Sequence, residues 1–93
     1  GNSVTSIGSQ AFSGCSSLTN VTIGTGVTSI GGYTFQGSGL VSLTIYATTP
    51  PRLGNNAFLG LSNFQIYVPA SSVNAYRASS DWNTYSLRIQ PIP

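Results

Sequence analysis

Few side chains in this chain can hold a charge or serve as a catalytic acid, base or thiol. Its 93 residues include three arginines, one aspartate, no glutamate and no histidine. The charged residues are Arg52, Arg77, Asp81 and Arg88, and the single thiol is Cys15. A glycosidase normally uses two carboxylates, and serine or cysteine hydrolases use a histidine base. With one carboxylate and no imidazole, the sequence predicts that the protein is not an enzyme and has no catalytic residues.

The common metal and phosphate sites are equally short of ligands. Zinc takes Cys, His or carboxylate ligands, and Cys15 with Asp81 is too small a set. Calcium held only by backbone and amide oxygens would bind weakly. The stretches Gly24-Thr-Gly26 and Gly31-Gly32 have no neighbouring lysine and no long helix after them, so they are interpreted as turns rather than a phosphate loop. We therefore expect no metal and no cofactor.

Charge and hydropathy also limit the partners. Only 4% of the residues are charged, against about 25% in typical globular proteins. The net charge of +2 rests on scattered arginines, whereas nucleic-acid binding uses a basic cluster. No apolar run reaches the ~18–20 residues of a membrane span. A surface wetted by hydroxyl and amide groups suits an extracellular or surface-displayed protein, with any export signal expected upstream of this chain.

An internal repeat predicts the architecture. The pattern Val-Thr-Ser-Ile-Gly-x-x-x-Phe occurs at residues 4–12 and 27–35, and the triplets Val21-Thr-Ile23 and Leu43-Thr-Ile45 alternate apolar and polar residues. A period of 22–23 residues is typical of stacked units that cannot bury their apolar faces alone. We predict a mainly β solenoid of the α/β solenoid class, with about three coils joined by parallel strand ladders.

Further elements of each coil follow from the alignment. Residues 3–7 and 26–30 are expected to form a second, shorter ladder, which Pro50-Pro51 should break because proline has no N–H to donate. Tight helical turns should carry Phe12, Phe35 and Phe58 into the core as an aromatic column.

The last 25 residues depart from the repeat and are predicted to cap it. We expect one domain, with repeats over residues 1–68 and a C-terminal cap over residues 69–93. A helix over residues 70–78, starting at Ser71 or Ser72, would bury a face that contains Val73, Ala75, Tyr76 and Ala78. Trp82 and Tyr85 would close the core, and Leu87-x-Ile89 would form a final strand.

Single residues of special chemistry are given structural roles. Cys15 aligns with Ser38 and is expected to be a small buried side chain. Asp81 is interpreted as a helix cap, and Arg77 and Arg88 as solvated residues. The glycosylation sequon Asn20-Val-Thr22 lies on a predicted strand and is taken as a chance match.

The N-terminal side of the array has no matching cap in the sequence. Val4, Ile7 and Phe12 would form an apolar end, which we expect to be covered by upstream repeats or by a second copy of the chain. Self-association through this end is therefore a hypothesis.

The stretch from Asn2 to Leu18, NSVTSIGSQAFSGCSSL, closely resembles the BspA-like leucine-rich repeats of bacterial surface proteins, notably those of gut and oral Bacteroidetes. The resemblance covers residues 2–45 well, whereas residues 46–51 depart from the pattern. The segment from Ile66 to Arg77, with Trp82 after it, is similar to the C-terminal cap of the same family. The resemblance implies a solenoid, surface display and protein binding, including adhesion to host proteins, and it brings no catalytic residues.

A binding surface is predicted on the outward side of the strands, since the apolar residues of each triplet should point inward. We call this surface the strand face, and its residues are Asn20, Thr22, Ser42, Thr44, Tyr46, Gln65 and Tyr67. The favoured function is a protein-binding module of an adhesin or surface protein. The alternatives are a passive spacer, whose strand face is only solvated, and a glycan-binding module in which Tyr46, Tyr67 or Trp82 stacks on a sugar.

Overall fold

The chain winds as stacked coils, so that like segments of successive repeats lie side by side. The computed structural model describes residues 5–61 and 63–93. The predictions that Val4 belongs to the apolar end and that residues 3–4 belong to the short ladder concern residues outside this range. The strands are β1 (Ser6–Ile7), β2 (Asn20–Ile23), β3 (Ser29–Ile30), β4 (Ser42–Ile45), β5 (Arg52–Leu53), β6 (Gln65–Val68) and β7 (Ile89–Pro91). Between β6 and β7 lie a 3-10 turn (Ala70–Ser72), the helix α1 (Val73–Ala78) and a 3-10 segment (Asn83–Arg88).

Two parallel sheets run along the stack. The long sheet has the order β2-β4-β6-β7 and the short sheet the order β1-β3-β5. In the long sheet Val21 pairs with Leu43, and in the short sheet Ile7 pairs with Ile30. Like residues therefore occupy adjacent layers, and the predicted solenoid with parallel ladders is confirmed.

The short ladder does not break at Pro50-Pro51, so this prediction is wrong. β5 pairs with β3, with Arg52 opposite Ser29 and Leu53 opposite Ile30. The two prolines lie just before the strand, where no ladder donor is needed. The donors come from later residues, because Arg52 N–H bonds to the carbonyl of Thr28 at 2.9 Å and Gly54 N–H to that of Ile30 at 2.7 Å.

The turns of successive coils form a third line of hydrogen bonds, which the sequence did not reveal. We number the coils along the chain, with the first up to residue 17, the second over residues 18–39 and the third over residues 40–61. In the first coil the N–H groups of Gln10, Phe12 and Gly14 donate to carbonyls of the second, at 3.0, 2.9 and 2.8 Å. Phe35 N–H repeats the pattern one coil later, bonding to the Ala57 carbonyl at 2.8 Å. These segments are successions of turns rather than the helical turns expected. Backbones with positive φ recur every 23 residues, at Gln10, Tyr33 and Asn56 and at Gly14, Gly37 and Gly60.

The predicted aromatic column is confirmed and extended. The Phe12 and Phe35 rings stack at 5.5 Å between centroids, and those of Phe35 and Phe58 at 5.6 Å. Phe64, just before β6, stacks on Phe58 at 4.9 Å. Phe35 is fully buried, whereas Phe12 is only half-buried because no described coil covers it.

Glycine at the end of the Ser-Ile-Gly pattern permits close contact between coils. A Cβ on Gly31 would lie 2.7 Å from the carbonyl carbon of Gly8, one coil earlier. A Cβ on Gly54 would collide with the backbone of Gly32 in the same way. The corner of each coil therefore rests directly on the backbone of the previous one.

Residues after β6 close the core of the last coil, as predicted. Tyr76 and Trp82 are both fully buried, and Tyr85 is half-buried. The Tyr76 hydroxyl donates to the Ala47 carbonyl at 2.6 Å, and Trp82 Nε1–H to that of Pro51 at 2.8 Å. The aromatic bulk is thus tied to the third coil by its polar atoms.

Details of the cap differ from the expectation. Of the expected helical face, Tyr76 and Val73 turn inward, while Ala75 and Ala78 are exposed, because the helix is only six residues long. Leu87 lies in the 3-10 segment at 96% exposure, and the final strand starts at Ile89 and includes Pro91. Pro91 fits there because it ends the strand at the edge of the sheet.

The charged residues of the cap act on backbone groups, contrary to prediction. Asp81 does not cap a helix; its Oδ2 accepts a hydrogen bond from Leu53 N–H at 3.0 Å, at the free edge of β5. Arg77 and Arg88 are not simply solvated, since they donate to the carbonyls of Ile89 at 2.7 Å and Phe64 at 2.9 Å. These side chains supply the partners that a further coil would otherwise provide.

Cys15 is exposed, so the expectation that it is buried is wrong. Its counterpart Ser38 is 9% exposed, because the first coil covers it. Cys15 lies in the first coil, where no described coil lies above it. The alignment placed the residue correctly but assumed that every coil has two neighbours.

Replacement of an aromatic residue tests the column. We expect Phe35→Ala to lower the free energy of unfolding by roughly 3–5 kcal/mol, since it empties a fully buried site. Phe12→Ala, at the half-buried end of the same column, should cost only about 1–2 kcal/mol. Urea denaturation followed by circular dichroism measures both. A loss below about 1 kcal/mol for Phe35→Ala would contradict the column.

The cap predicts an alkaline loss of stability. Burial raises the pKa of Tyr76 above its ordinary value of 10.0. The neutral phenol is then favoured in the folded state. The contribution of Tyr76 to the free energy of unfolding is therefore complete below pH 10 and is lost as the pH rises further. We expect the free energy of unfolding, measured by urea denaturation, to fall from about pH 10 upward, by as much as ~1.4 kcal/mol per pH unit from this residue.

Two variants separate this titration from simple loss of a cap contact. Tyr76→Phe should be less stable near pH 8 by about 1–3 kcal/mol, because the buried Ala47 carbonyl loses its donor, but its alkaline decline should be shallower. Ser72→Ala removes another cap bond, to the Thr48 carbonyl, without removing an ionisable group. The free energy of unfolding of Ser72→Ala should therefore decline with pH in parallel with that of the wild type. An equal decline per pH unit in all three proteins would show that Tyr76 is not the titrating group.

Candidate functional site

The strand face consists of two polar columns across the long sheet. The register places Asn20, Ser42 and Gln65 side by side, and next to them Thr22, Thr44 and Tyr67. Both columns alternate with buried positions such as Leu43, Ile45 and Ile66 along the strands. The strands therefore bring six of the seven predicted residues together on one surface.

Hydrogen bonds connect neighbours within this surface. Ser42 Oγ donates to Asn20 Oδ1 at 2.6 Å. Gln90 Nε2 donates to Gln65 Oε1, and Gln90 lies opposite Tyr67 in β7. Gln90 was absent from the predicted face, although its place directly after the buried Ile89 was a signal for an outward position. These contacts link Asn20 with Ser42 and Gln65 with Gln90 across neighbouring strands.

The aromatic residues of the sequence prediction divide into two groups. Tyr46, directly after β4, is 44% exposed, and Tyr67 is half-buried among its neighbours in the sheet. Trp82 is fully buried and cannot stack on a sugar, so its proposed role as a platform is wrong. Sequence reasoning could not separate an indole that closes a core from one that faces solvent.

The strand face carries no formal charge at neutral pH. None of its residues is Asp, Glu, Lys or Arg. Arg88 of the cap is not one of them, and its guanidinium lies 4.4 Å from the centroid of the Phe64 ring. Burial raises the pKa of Tyr85, an effect that the charge of Arg88 partly offsets, but this residue belongs to the core beside Phe58. A partner on this surface would therefore have to be held by hydrogen bonds and apolar contact.

Exposed apolar side chains outside the strand face were not predicted from the sequence. Val41, just before β4, is 53% exposed, while its neighbour Leu40 is buried. On the turns, Leu59 is 46% and Tyr33 is 37% exposed, and the Tyr33 hydroxyl accepts a hydrogen bond from Asn56 Nδ2 at 3.2 Å. Val41 and Ser42 both lie outward between the buried Leu40 and Leu43, so strict alternation along the strand would not have predicted the exposure of Val41.

The first coil and β2 expose the apolar end that the sequence predicted. Ile7, Phe12 and Val21 are half-buried and, with Val27, line a hollow of about 170 Å³. We call this surface the open end. No described strand pairs with the outer edge of β1 or β2.

The outer edge of β2 has free backbone positions for pairing. The carbonyls of Thr19 and Ile23 accept hydrogen bonds from Val41 and Tyr46 of the third coil. Because backbone groups of alternate residues point to opposite edges, Thr22 presents its N–H and C=O to the open side.

The described residues contain neither a cluster of three His, Cys, Asp or Glu residues nor a helix that is long and apolar enough to cross a membrane. Comparison with known proteins gives one family. The family model described as a BspA type leucine-rich repeat region (6 copies) matches residues 1–93. No curated protein matches the chain.

Proposed function

The chain belongs to the BspA-type leucine-rich repeat family, and on this premise we propose that it is a non-catalytic binding module of a secreted or surface-displayed bacterial protein. Its partner is a protein, with a host surface or matrix protein as the favoured class. The module is one domain in which residues 69–93 cap the repeats of residues 1–68. The family relationship supports interaction and display, and the strand face supports the place of contact.

The observation that carries this proposal is the prearranged neutral surface on the long sheet. Its threonines and amides stand in two straight columns, and neighbouring side chains hold one another through bonds such as Ser42 to Asn20. Tyr46 adds a rigid, exposed ring at one end, and such rings give contact area at low entropic cost. A surface fixed in this way loses little freedom on binding.

A passive spacer is the alternative with its own support. The cap satisfies backbone groups at the end of the array with Asp81, Arg77 and Arg88, which suits a unit that holds another domain away from a cell. A spacer needs no specific contact on the strand face. Binding measurements therefore separate the two functions.

Charge placed on the strand face should abolish binding. We expect Thr44→Asp/Tyr67→Asp to lose binding to any protein captured from a panel of purified extracellular-matrix proteins, because two carboxylates would have to be desolvated in a neutral contact. The loss should exceed about ten-fold in Kd, measured by biolayer interferometry. The protein should still unfold in one cooperative transition, with stability lowered by only about 1 kcal/mol, since both side chains lie on the outer side of the sheet and only the repulsion between opposite carboxylates is added.

A variant of equal charge provides the control. Leu59→Asp/Asn74→Asp adds two carboxylates at exposed positions of the turns and of α1, away from the strand face. It should bind like the wild type. Equal loss in both double variants would indicate a non-specific charge effect, and a panel with no binder at all would favour the spacer.

The open end supports self-association as a second mode of interaction. The charged residues all follow residue 51, so the first coil has no charge to repel a second copy. Two copies meeting at β2 would pair their free edges and cover Phe12 and Val21. Because cap side chains close the opposite end, this contact would give a dimer rather than a filament.

Removal of one backbone donor tests this mode. Thr22→Pro deletes the N–H that faces the open side and leaves the bonds between β2 and β4 intact. We expect sedimentation velocity to show dimers of the wild type at high concentration and monomers of Thr22→Pro. Thr22→Ala keeps the N–H and should still dimerise. A wild type that stays monomeric at about 1 mM would exclude the dimer.

A further inference from the structure

A second concave surface lies outside the strand face and shares only Val27 with the hollow of the open end. It is a cleft of about 280 Å³ between the corners of the second and third coils, on the way from the long sheet to the short sheet. Its lining consists of Thr25, Val27, Thr28, Thr48, Thr49 and Pro50. Four threonines and no charged side chain therefore surround it.

The cleft exists because the two corners differ in length. Six residues, 24–29, separate Ile23 from Ile30 in the second coil. Seven residues, 46–52, separate Ile45 from Leu53 in the third, although both pairs of ends are in register. The extra residue cannot fit within the ladders, so the third corner departs from the second and leaves space between them.

The wider corner is held in place by the cap. The carbonyl of Ala47 accepts the Tyr76 hydroxyl at 2.6 Å, and that of Thr48 accepts Ser72 Oγ at 2.9 Å. The Pro51 carbonyl accepts Trp82 Nε1–H at 2.8 Å. Three buried or part-buried donors thus fix the wall that contains Thr48, Thr49 and Pro50. A cleft that is fixed in advance does not have to be ordered when a ligand enters.

The lining determines the kind of ligand. The half-buried Pro50 and the methyl groups of the exposed threonines give the cleft its apolar surface, since Val27 is only 3% exposed. Threonine hydroxyls can both donate and accept, and Thr28 Oγ1, which donates to the Thr5 carbonyl at 3.1 Å, keeps lone pairs as acceptors. Such a surface matches a neutral molecule with hydroxyls at its edge and C–H groups on its face.

We propose that this cleft binds one pyranose ring of a neutral sugar, with the ring against Pro50 and the threonine methyl groups and its hydroxyls bonded to the threonine hydroxyls. The volume lies at the lower limit of small-molecule sites, about 300–1,000 Å³, and therefore admits one ring rather than an oligosaccharide. Without charge or an aromatic wall, the Kd should be in the millimolar range. This site is independent of protein binding by the strand face and adds a ligand class to it.

Titration of the ¹⁵N-labelled chain with D-glucose, D-galactose, D-mannose and N-acetyl-D-glucosamine tests the proposal. With at least one sugar we expect saturable amide shifts confined to residues 25–28 and 48–49. Thr48→Val/Thr49→Val keeps the shape of two exposed side chains and removes their hydroxyls. It should weaken binding about ten-fold or more, as the loss of two hydrogen bonds implies.

Thr22→Val/Thr44→Val makes the same chemical change on the strand face and should leave sugar binding unchanged. Three results would overturn the proposal: no saturable shift with any of the four sugars at about 100 mM, equal weakening in both double variants, or shifts centred on Tyr46 and Tyr67. The wild-type shift map needs no variant, so the proposal stays testable if a variant folds poorly.

Discussion

Backbone hydrogen bonding between successive coils is the constraint from which the rest of the structure follows. Each coil bonds to the next along three lines: the long sheet, the short sheet and the turns between them. These bonds require like positions to lie in adjacent layers, which stacks Phe12, Phe35 and Phe58 and brings glycine against the previous backbone. The same constraint creates a difficulty at each end of the array, where donors and acceptors lose their partners.

Three of the four charged residues, Arg77, Asp81 and Arg88, lie in the C-terminal cap, where the ladders end. Asp81 accepts the outward N–H of Leu53, and Arg77 and Arg88 donate to backbone carbonyls. Charge-assisted bonds are stronger than neutral ones and suit positions where a regular ladder stops. The chain therefore has charge mainly where the repeat ends, and the strand face, inside the array, is neutral. One property, termination of the ladders, accounts for both features.

Periodicity predicted the parts of the molecule in which every coil has the same surroundings. The pairing of Ile7 with Ile30, the strands around Val21 and Leu43, and the aromatic column could be obtained from spacing alone. The errors concern residues whose surroundings differ from those of their counterparts: Cys15 is exposed because no described coil covers it, and Asp81 completes a sheet edge. Pattern reasoning also cannot see the backbone bonds of the turns, because side-chain types do not encode them.

The cleft lined by threonines lies at a corner that departs from the regular repeat. The long sheet advances by 22 residues from the second coil to the third and the short sheet by 23, so one residue must be accommodated between them. The ladders cannot absorb it, since a slip of one residue would turn every side chain to the opposite face. It is placed in the corner that contains Pro50-Pro51, where the cap can hold the displaced carbonyls. Regular positions of a solenoid are constrained by packing, and a corner released from the register is free to vary in chemistry.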